Sequence, residues 1–387
     1  MKHLWNFIKK YKIRFIFLGS LFLLFWLLFG LRYISGFSEF WSKSVGRVYQ
    51  IAIGWITSIF PISIFELLII AAVVLGVLWI IFFIRKTKKC GFKESAVKLI
   101  TLAIVITSVG TLYVATAGMY YHRKPFKLSL RDTTQVKEEK YFDIAVWAST
   151  KLNNAANQLQ FREDGSVINP YSRPQLCGIM EREFAKLDTD YLTDYTVKPK
   201  PLYIFGWLYS EMHISGVSFL PTGEANYNYQ VPNVDLPFVM AHEIAHTKGV
   251  MNETDANYLA MYVCLNSEVP YLQYSALANA LVSLEPMALT VNDDEKYKQF
   301  YDVISTNVWE DFAYSNRFWE EHDFFESISE WFNNLYLKVF GSETTEDYKD
   351  HTHEEIIIVD DDPVYTLPQL SKYQEIVVDL WLKENGL

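Results

Sequence analysis

The sequence predicts an α-rich α+β protein in which three N-terminal transmembrane helices precede a soluble domain with a small sheet. Three apolar runs within the first 122 residues are long enough to cross a bilayer, which takes about 20 residues. After residue 122, apolar residues recur mostly with helical spacing. Only a few short segments ahead of residue 237 have the aromatic and branched composition of strands.

The apolar runs cover Phe15–Leu31, Ile62–Ile84 and Leu99–Tyr121. The first follows a basic segment and so resembles a signal peptide. Two more spans come after it, however, and no small-residue cleavage site follows closely, so we interpret it as an uncleaved anchor. Residues 1–122 are therefore predicted to form a membrane domain, with the lipid bilayer as a partner.

Positive charge predicts the orientation of these spans, because cytoplasmic loops carry an excess of Lys and Arg. The N-terminus is basic, and the loop between the second and third spans holds Arg85, Lys86, Lys88, Lys89, Lys93 and Lys98. The prediction is a multi-pass protein of the cell membrane with a cytoplasmic N-terminus and an extracytoplasmic domain over residues 123–387. The further apolar segment Val48–Phe60 is too short to span comfortably, and it is expected in the membrane interface.

The net charge of the chain also changes sign at the boundary near residue 122. The first 122 residues carry 14 Lys+Arg and 3 Asp+Glu, whereas the remainder has a net charge of −21. The acidic part argues against nucleic acid as a partner, because phosphate contacts need clustered basic residues. The three cysteines are too few for a disulfide framework or a cysteine zinc site, and Cys177 and Cys264 are either paired or two buried thiols.

The soluble part is predicted to be mostly helical. The predicted helices are Phe142–Gln160, Pro174–Leu187, Pro237–Lys248, Glu253–Leu265, Leu272–Ser283, Asp293–Ile304, Phe324–Val339 and Ser371–Glu384. The predicted strands are Pro201–Trp207, Val217–Leu220 and Ala225–Val231. Gly341–Pro368 is acidic and polar, and we expect an excursion there with a brief strand over Ile356–Val359.

A metal-binding pattern lies on the predicted helix Pro237–Lys248. His242 and His246 are four residues apart, so a helix points both imidazoles to one side. Glu243 lies beside them and can act as general base for a water that attacks a carbonyl, which is the chemistry behind this spacing in zinc peptidases. The alternative is two surface histidines, but the apolar neighbours of the motif indicate a buried helix, where uncoordinated histidines would be costly.

A catalytic Zn²⁺ needs a third protein ligand. Glu253 and Asp255 are the candidates that follow the helix. The segment Glu253–Asn257 resembles the Glu-x-x-Ala-Asp motif of the HtpX-like and CAAX prenyl protease families. The resemblance implies that Glu253 binds zinc, and that Asn257 replaces the aspartate that usually orients a histidine.

A longer resemblance covers most of the chain. The segments that carry the similarity are Pro221–Asn226, Leu236–Phe238, the helix with His242 and His246 (called the metal helix below), Glu253–Asn257 and Asn334–Lys338. In these segments the chain is similar to an uncharacterised bacterial membrane family, the domain of unknown function thirty-eight ten. The resemblance implies a zincin-like metallopeptidase domain of the gluzincin type, and it brings no known substrate.

The substrate-binding residues are less defined. In zincins generally, an edge strand ahead of the metal helix pairs with extended substrate, and Glu224, Ala225 and Asn226 are predicted to be that edge. A plain structural strand is the alternative. The donor that stabilises the oxyanion is left open among Tyr227, Tyr229, Tyr258, His213, Tyr336 and Tyr373.

The leading expectation is a membrane-anchored zinc peptidase that hydrolyses protein or peptide substrates on the extracytoplasmic side. One alternative is a catalytically degenerate zincin that acts as a membrane sensor or scaffold. Another is a zinc amidase of cell-wall or small-molecule substrates. Glu243 favours an active enzyme over a scaffold, because a scaffold has no need of a general base.

Overall fold

A computed structural model describes residues 2–340, 355–359 and 362–387. The chain divides into two compact units. The first consists of Met1–Lys124 and Phe219–Glu224, and the second of Pro125–Ser218 and Ala225–Leu387. The short segment Phe219–Glu224 thus belongs with the N-terminal unit. The predicted division of the chain after residue 122 did not include this segment.

The first unit is helical throughout. Its helices are α1 (Lys2–Lys10), α2 (Lys12–Leu31), α3 (Ser35–Trp41), α4 (Arg47–Thr57), α5 (Ile64–Cys90) and α6 (Phe92–Tyr113). Three helical stretches are long and apolar enough to cross a membrane, namely Lys12–Leu31, Ile64–Cys90 and Ser95–His122. The prediction of three apolar N-terminal helices is confirmed.

Helices α2 and α6 lie side by side and run parallel. Arg14, in the first turn of α2, donates to the hydroxyl of Thr101, near the middle of α6, at 3.0 Å. Near their ends, the rings of Tyr33 and His122 lie 4.7 Å apart. Between these points, a Cβ atom at Gly110 would lie 3.4 Å from the Phe25 ring, so the glycine permits close packing.

Helices α3 and α4 are joined by a π-helical turn, Ser42–Gly46, into one continuous helical segment. Its buried face is small or polar and consists of Ser38, Ser42, Gly46, Gln50, Gly54 and Thr57. Its exposed face carries Phe40, Val45, Val48, Trp55 and Ile56. This polarity is the reverse of that of a surface helix in a water-soluble protein.

The α3–α4 segment lies across one end of the α2/α6 pair. The Trp41 indole donates to the Ala115 carbonyl at 2.9 Å, beyond the end of α6. The segment is followed by α5, whose first turn also lies near the end of α6. Phe219 shows this, because its ring contacts both Phe65 in the first turn of α5 and Tyr113 at the end of α6. The segment therefore begins and ends at the same end of the helix pair.

The second unit is helix-rich and contains a small mixed sheet. Its helices are α7 (Tyr141–Ala156), α8 (Arg173–Ala185), α9 (Gly206–Glu211), α10 (Leu236–Thr247), α11 (Glu253–Leu265), α12 (Pro270–Leu289), α13 (Asp294–Asp302), α14 (Thr306–Glu320), α15 (Glu326–Phe340) and α16 (Lys372–Glu384). Its strands are β1 (Lys200–Leu202), β2 (Gly216–Phe219), β3 (Glu224–Asn228), β4 (Glu355–Val359) and β5 (Asp362–Thr366). All eight predicted helices are present, and α9 and α14 were not predicted as helices.

The predicted strand Pro201–Trp207 is wrong in its second half. Strand β1 ends at Leu202, and helix α9 begins at Gly206. Tertiary hydrogen bonds hold this short helix, because the Asn228 side chain donates to the Ser210 hydroxyl at 2.9 Å. Local β propensity is therefore overridden by a residue about 20 positions away.

The three-stranded sheet has the order β1–β3–β2, with β1 and β3 parallel and Leu202 paired with Asn228. The core of the unit is formed by α7 packed along α12, with α10 and α11 beside them. The predicted strand Ile356–Val359 lies in β4, which pairs antiparallel with β5. Most of the predicted excursion around it, residues 341–354, lies outside the described residues.

Candidate metal centre

The C-terminus of α10 is built around Gly249. This residue has φ +100°, a conformation that glycine adopts without steric cost. The Val250 amide donates to the Ala245 carbonyl at 3.1 Å, and the Gly249 amide donates to the His246 carbonyl at 2.9 Å. This pattern is a Schellman motif, which ends the helix and reverses the chain. The reversal brings Val250 back beneath the last turn of the helix.

Both histidine rings are fixed through their Nδ1 atoms. His246 Nδ1 lies 2.8 Å from the Val250 carbonyl oxygen, and His242 Nδ1 lies 2.7 Å from Asn257 Oδ1. Both oxygens accept, so each Nδ1 carries the proton and donates it. This choice of tautomer leaves both Nε2 atoms as acceptors that can bind a metal.

Three acceptor atoms converge opposite these hydrogen bonds. The Nε2 atoms of His242 and His246 lie 3.0 Å apart. Glu253 Oε2 lies 3.3 Å from His242 Nε2 and 3.5 Å from His246 Nε2. Two ligands of a tetrahedral zinc ion, with bonds of 2.0–2.1 Å, are separated by about 3.3 Å. Since lone pairs so close together repel unless a cation lies among them, the arrangement fits a bound metal ion.

Electrostatics favour a positive charge among these three side chains. Burial tends to lower the pKa of His246, but the Glu253 carboxylate outweighs it and raises that pKa to about 9. Burial opposes ionisation of Glu253, yet His246 and His242 hold the pKa of its carboxyl well below the usual range. Without a cation among these side chains, the raised pKa of His246 favours a proton on its Nε2 atom.

Asp255, the rival third ligand, is used elsewhere. Its carboxylate accepts from Lys372 Nζ at 2.6 Å and from the Phe126 amide at 3.1 Å. Its own amide is capped by the Asn252 side chain at the start of α11. Of the two acidic candidates, the structure brings only Glu253 to the histidines.

Glu243 is buried beside the histidines, with only 4% of its surface exposed. Its Oε2 atom has no hydrogen-bond partner among the described residues. Burial raises the pKa of the Glu243 carboxyl, while His242 and His246 oppose the shift. A buried acceptor without a hydrogen-bond partner among the described residues, next to three side chains that could hold a metal ion, is suited to take a proton from a water molecule.

Strand β2 runs close to this carboxyl group. A Cβ atom at Gly216 would lie 2.8 Å from Glu243 Cδ, so only glycine fits here without displacing the side chain. Ser218 ties the same strand to the metal helix, because its hydroxyl donates to the Glu243 carbonyl at 2.7 Å. The sequence interpretation did not single out Gly216 or Ser218, since nothing in their local pattern indicates a contact with residue 243.

The expectation that Glu224, Ala225 and Asn226 form a free edge is wrong, because β3 is the central strand of its sheet. All three residues are buried, and the side-chain Nδ2 of Asn226 donates to the Val217 carbonyl of β2. The edge near Glu243 belongs to β2, which is a terminal strand of the sheet.

Glu224 has a different partner, within the first unit. Its carboxylate accepts from the backbone amides of Ile64 at 2.9 Å and of Phe65 at 2.9 Å. These amides lie in the first turn of α5, where the helix dipole favours a negative charge. Glu224 therefore acts as an N-terminal cap of α5.

Several of the remaining polar candidates are also engaged. His213 has its Nε2 atom 2.9 Å from the Trp319 carbonyl oxygen and its Nδ1 atom 3.2 Å from Glu326 Oε1. The Tyr258 ring lies against Lys372 Nζ.

Cys177 and Cys264 are two buried thiols rather than a disulfide.

Comparison with known proteins places the chain in a family. A family model described as "Protein of unknown function (DUF3810)" matches residues 41–352, so the chain belongs to that family. This confirms the predicted resemblance to that uncharacterised family. No curated protein and no solved structure matches the chain.

Proposed function

We propose that this member of the DUF3810 family is a membrane-anchored, zinc-dependent peptidase that hydrolyses peptide bonds on the extracytoplasmic side. The observation that carries the proposal is the convergence of His242 Nε2, His246 Nε2 and Glu253 Oε2, with separations of 3.0–3.5 Å. Glu243, with its buried and unpartnered oxygen, lies beside them.

His242, His246 and Glu253 would hold the ion. Three protein ligands are typical of catalytic zinc, whereas structural zinc sites are closed by four. Within the part of the chain that the structure describes, the group that could hold this metal comprises these three residues. When bound, zinc supplies Lewis-acid activation of a water molecule and of the substrate carbonyl.

Glu243 would do the proton transfer. Its Oε2 atom accepts a proton from the attacking water, and the resulting carboxylic acid donates that proton to the nitrogen of the leaving amine. Burial favours the first step, because a raised pKa makes the carboxylate a stronger base near neutral pH. The contact with Gly216 holds the side chain in place while it does so.

A peptide fits the surroundings of the site better than a small molecule does. Strand β2 passes Glu243 and has a strand partner, β3, on one side only among the described residues. Extended peptides bind to such edges through backbone hydrogen bonds. A substrate strand added to β2 would bring its own carbonyl groups past the candidate base.

The membrane part supports anchoring and an orientation. Three apolar helices are long enough to span a bilayer, and the loop around Cys90 is basic. The positive-inside rule puts this loop and the N-terminus in the cytoplasm and the second unit outside. The α3–α4 segment, with its apolar face exposed, is proposed to lie in the membrane interface.

The test uses the full-length chain purified in detergent or lipid nanodiscs. We expect about one zinc per chain, measured by elemental analysis, and cleavage of a mixed peptide library detected by mass spectrometry. His242→Ala should lose both. Bound zinc without cleavage of any peptide would favour a scaffold, and cleavage of cell-wall amides alone would favour an amidase.

A further inference from the structure

We infer that an exposed aromatic platform, made of Tyr203, Ile204, Trp207 and Tyr229, binds a large apolar side chain of the peptide substrate. The inference rests on the proposed function and adds a substrate class to it. The occupant is an extended peptide with an aromatic or large aliphatic residue close to the bond that is cleaved.

The four platform residues are large, apolar in character and unusually accessible. Their exposed fractions are 60% for Tyr203, 45% for Ile204, 58% for Trp207 and 46% for Tyr229. The rings of Tyr203 and Tyr229 lie 5.5 Å apart. Ile204 and Trp207 are near neighbours of Tyr203 in the chain, so the four residues together form an exposed apolar patch, and such patches are typical of binding surfaces.

The platform lies at the end of the sheet where β2 meets the candidate base. Tyr203 follows Leu202 and Tyr229 follows Asn228, and these two strand ends are paired in register. The Asn228 amide donates to the Ser215 carbonyl at 2.7 Å. Ser215 directly precedes Gly216, which contacts Glu243. A peptide paired with the free edge of β2 would lie two strand spacings from β3, about 10 Å, so only a large side chain that extends over the end of β2 would meet the platform.

The platform is also held in shape before any peptide binds. The ring of Tyr229 lies against the backbone of Gly206, at the start of α9, where a Cβ atom would collide with it. The Asn228 side chain donates to the Ser210 hydroxyl at 2.9 Å and to the Ile214 carbonyl at 3.3 Å. Because α9 and the strand ends are locked together, little ordering cost is expected on binding.

The experiment varies one residue of the peptide and one of the protein. The best-cleaved library peptide is resynthesised with Phe, Leu, Ala or Asp at each position near the cleaved bond. We expect kcat/KM to favour Phe or Leu over Ala by about tenfold or more at one position. Trp207→Ala should remove most of this preference by lowering kcat/KM for the Phe peptide towards the value for the Ala peptide, and Trp207→Phe should keep it. Val282→Ala is the control, since Val282 is an exposed apolar residue of α12.

A binding measurement separates this inference from the proposed function. The same peptides are titrated against zinc-loaded Glu243→Gln, with and without Trp207→Ala, by calorimetry. If no peptide is cleaved, the peptidase proposal fails, but a Phe-dependent affinity that Trp207→Ala removes still supports the platform. Unchanged selectivity and affinity in Trp207→Ala overturn the inference. The inference is also overturned if Trp207→Ala loses binding to phosphatidylglycerol vesicles but keeps its peptide preference, because the patch would then be a lipid contact.

Discussion

The Nδ1 atom of His242 lies 2.7 Å from Oδ1 of Asn257, one helix away. This contact fixes the imidazole with Nε2 towards Glu253 and His246. The related motif has aspartate at the position of Asn257, so the chain orients its histidine through a neutral oxygen. A neutral acceptor leaves the ring less basic than a carboxylate would.

Replacement of Asn257 is expected to act on metal affinity. Asn257→Ala removes the acceptor, and we expect zinc to bind about 10- to 100-fold more weakly. Asn257→Asp should bind zinc at least as tightly as the natural chain. Competition with a chelator of known affinity measures both, with Asn266→Ala, at the far end of α11, as control. Equal affinities in all four proteins would show that the contact does not position the ring.

Glu243 and Glu253 are expected to separate chemistry from metal binding. Glu243→Gln keeps the shape of the side chain but cannot accept a proton, so hydrolysis should fall by about a hundredfold or more with zinc content unchanged. Glu253→Ala removes a ligand and should lower zinc content itself. Zinc and cleavage are measured on the same samples, with Glu268→Gln as control. Cleavage by Glu243→Gln at the natural rate would refute the proposed base.

Gly216→Ala is expected to impair catalysis without a loss of zinc. The added Cβ atom would lie 2.8 Å from Glu243 Cδ, so the carboxyl group has to move. A displacement of about 1 Å can cost a hundredfold in rate. Gly178→Ala is the matched control, because a Cβ atom there would meet only the end of the flexible Arg182 side chain, at 3.8 Å. If both variants hydrolyse peptides equally well, the contact with β2 has no part in positioning the base.

Zinc affinity is expected to rise with pH up to about 9. In the metal-free chain the pKa of His246 is raised to about 9, so this residue carries a proton that zinc has to displace. With one proton released, apparent affinity should increase about tenfold per pH unit between about pH 7 and 9, and then level off. The same shift stabilises the metal-free fold below the ordinary histidine pKa of 6.5, and this stability is lost as the pH rises through about 9.

Chelator competition at several pH values gives the affinity slope, and denaturant unfolding of the zinc-free chain gives the stability. His213→Gln is the control for histidines outside the metal centre. An affinity that does not change between pH 7 and 9 would show that His246 is neutral in the metal-free chain.

Cysteine labelling is expected to reveal the orientation. Cys90 is exposed and lies at the end of α5 near the basic loop, whereas Cys177 and Cys264 are buried. In intact cells, a membrane-impermeant maleimide should leave Cys90 unlabelled until the cells are permeabilised. Gly386→Cys, close to the C-terminus, should react from outside in a Cys90→Ser background. The opposite labelling pattern would place the second unit in the cytoplasm.

The sequence by itself determined the features that depend on neighbours along the chain. Bilayer-length apolar runs predict spans because every backbone group in lipid has to be paired within its own helix. The spacing of His242 and His246 predicts a shared direction because a helix repeats every 3.6 residues. Helix α11 begins at Glu253 and ends at Leu265, as predicted from the sequence.

Only the tertiary structure decided how distant segments meet. Spacing alone left both Glu253 and Asp255 as candidates, and only the resemblance favoured Glu253. In the structure Lys372, more than a hundred residues away, contacts Asp255, and Glu253 lies at the histidines. Strand β3 was expected to be an edge because of its position ahead of α10, yet pairing with β1 and β2 makes it the central strand. Local patterns carry helix period and side-chain chemistry, whereas the choice among equivalent partners depends on packing and hydrogen bonds between residues far apart in the chain.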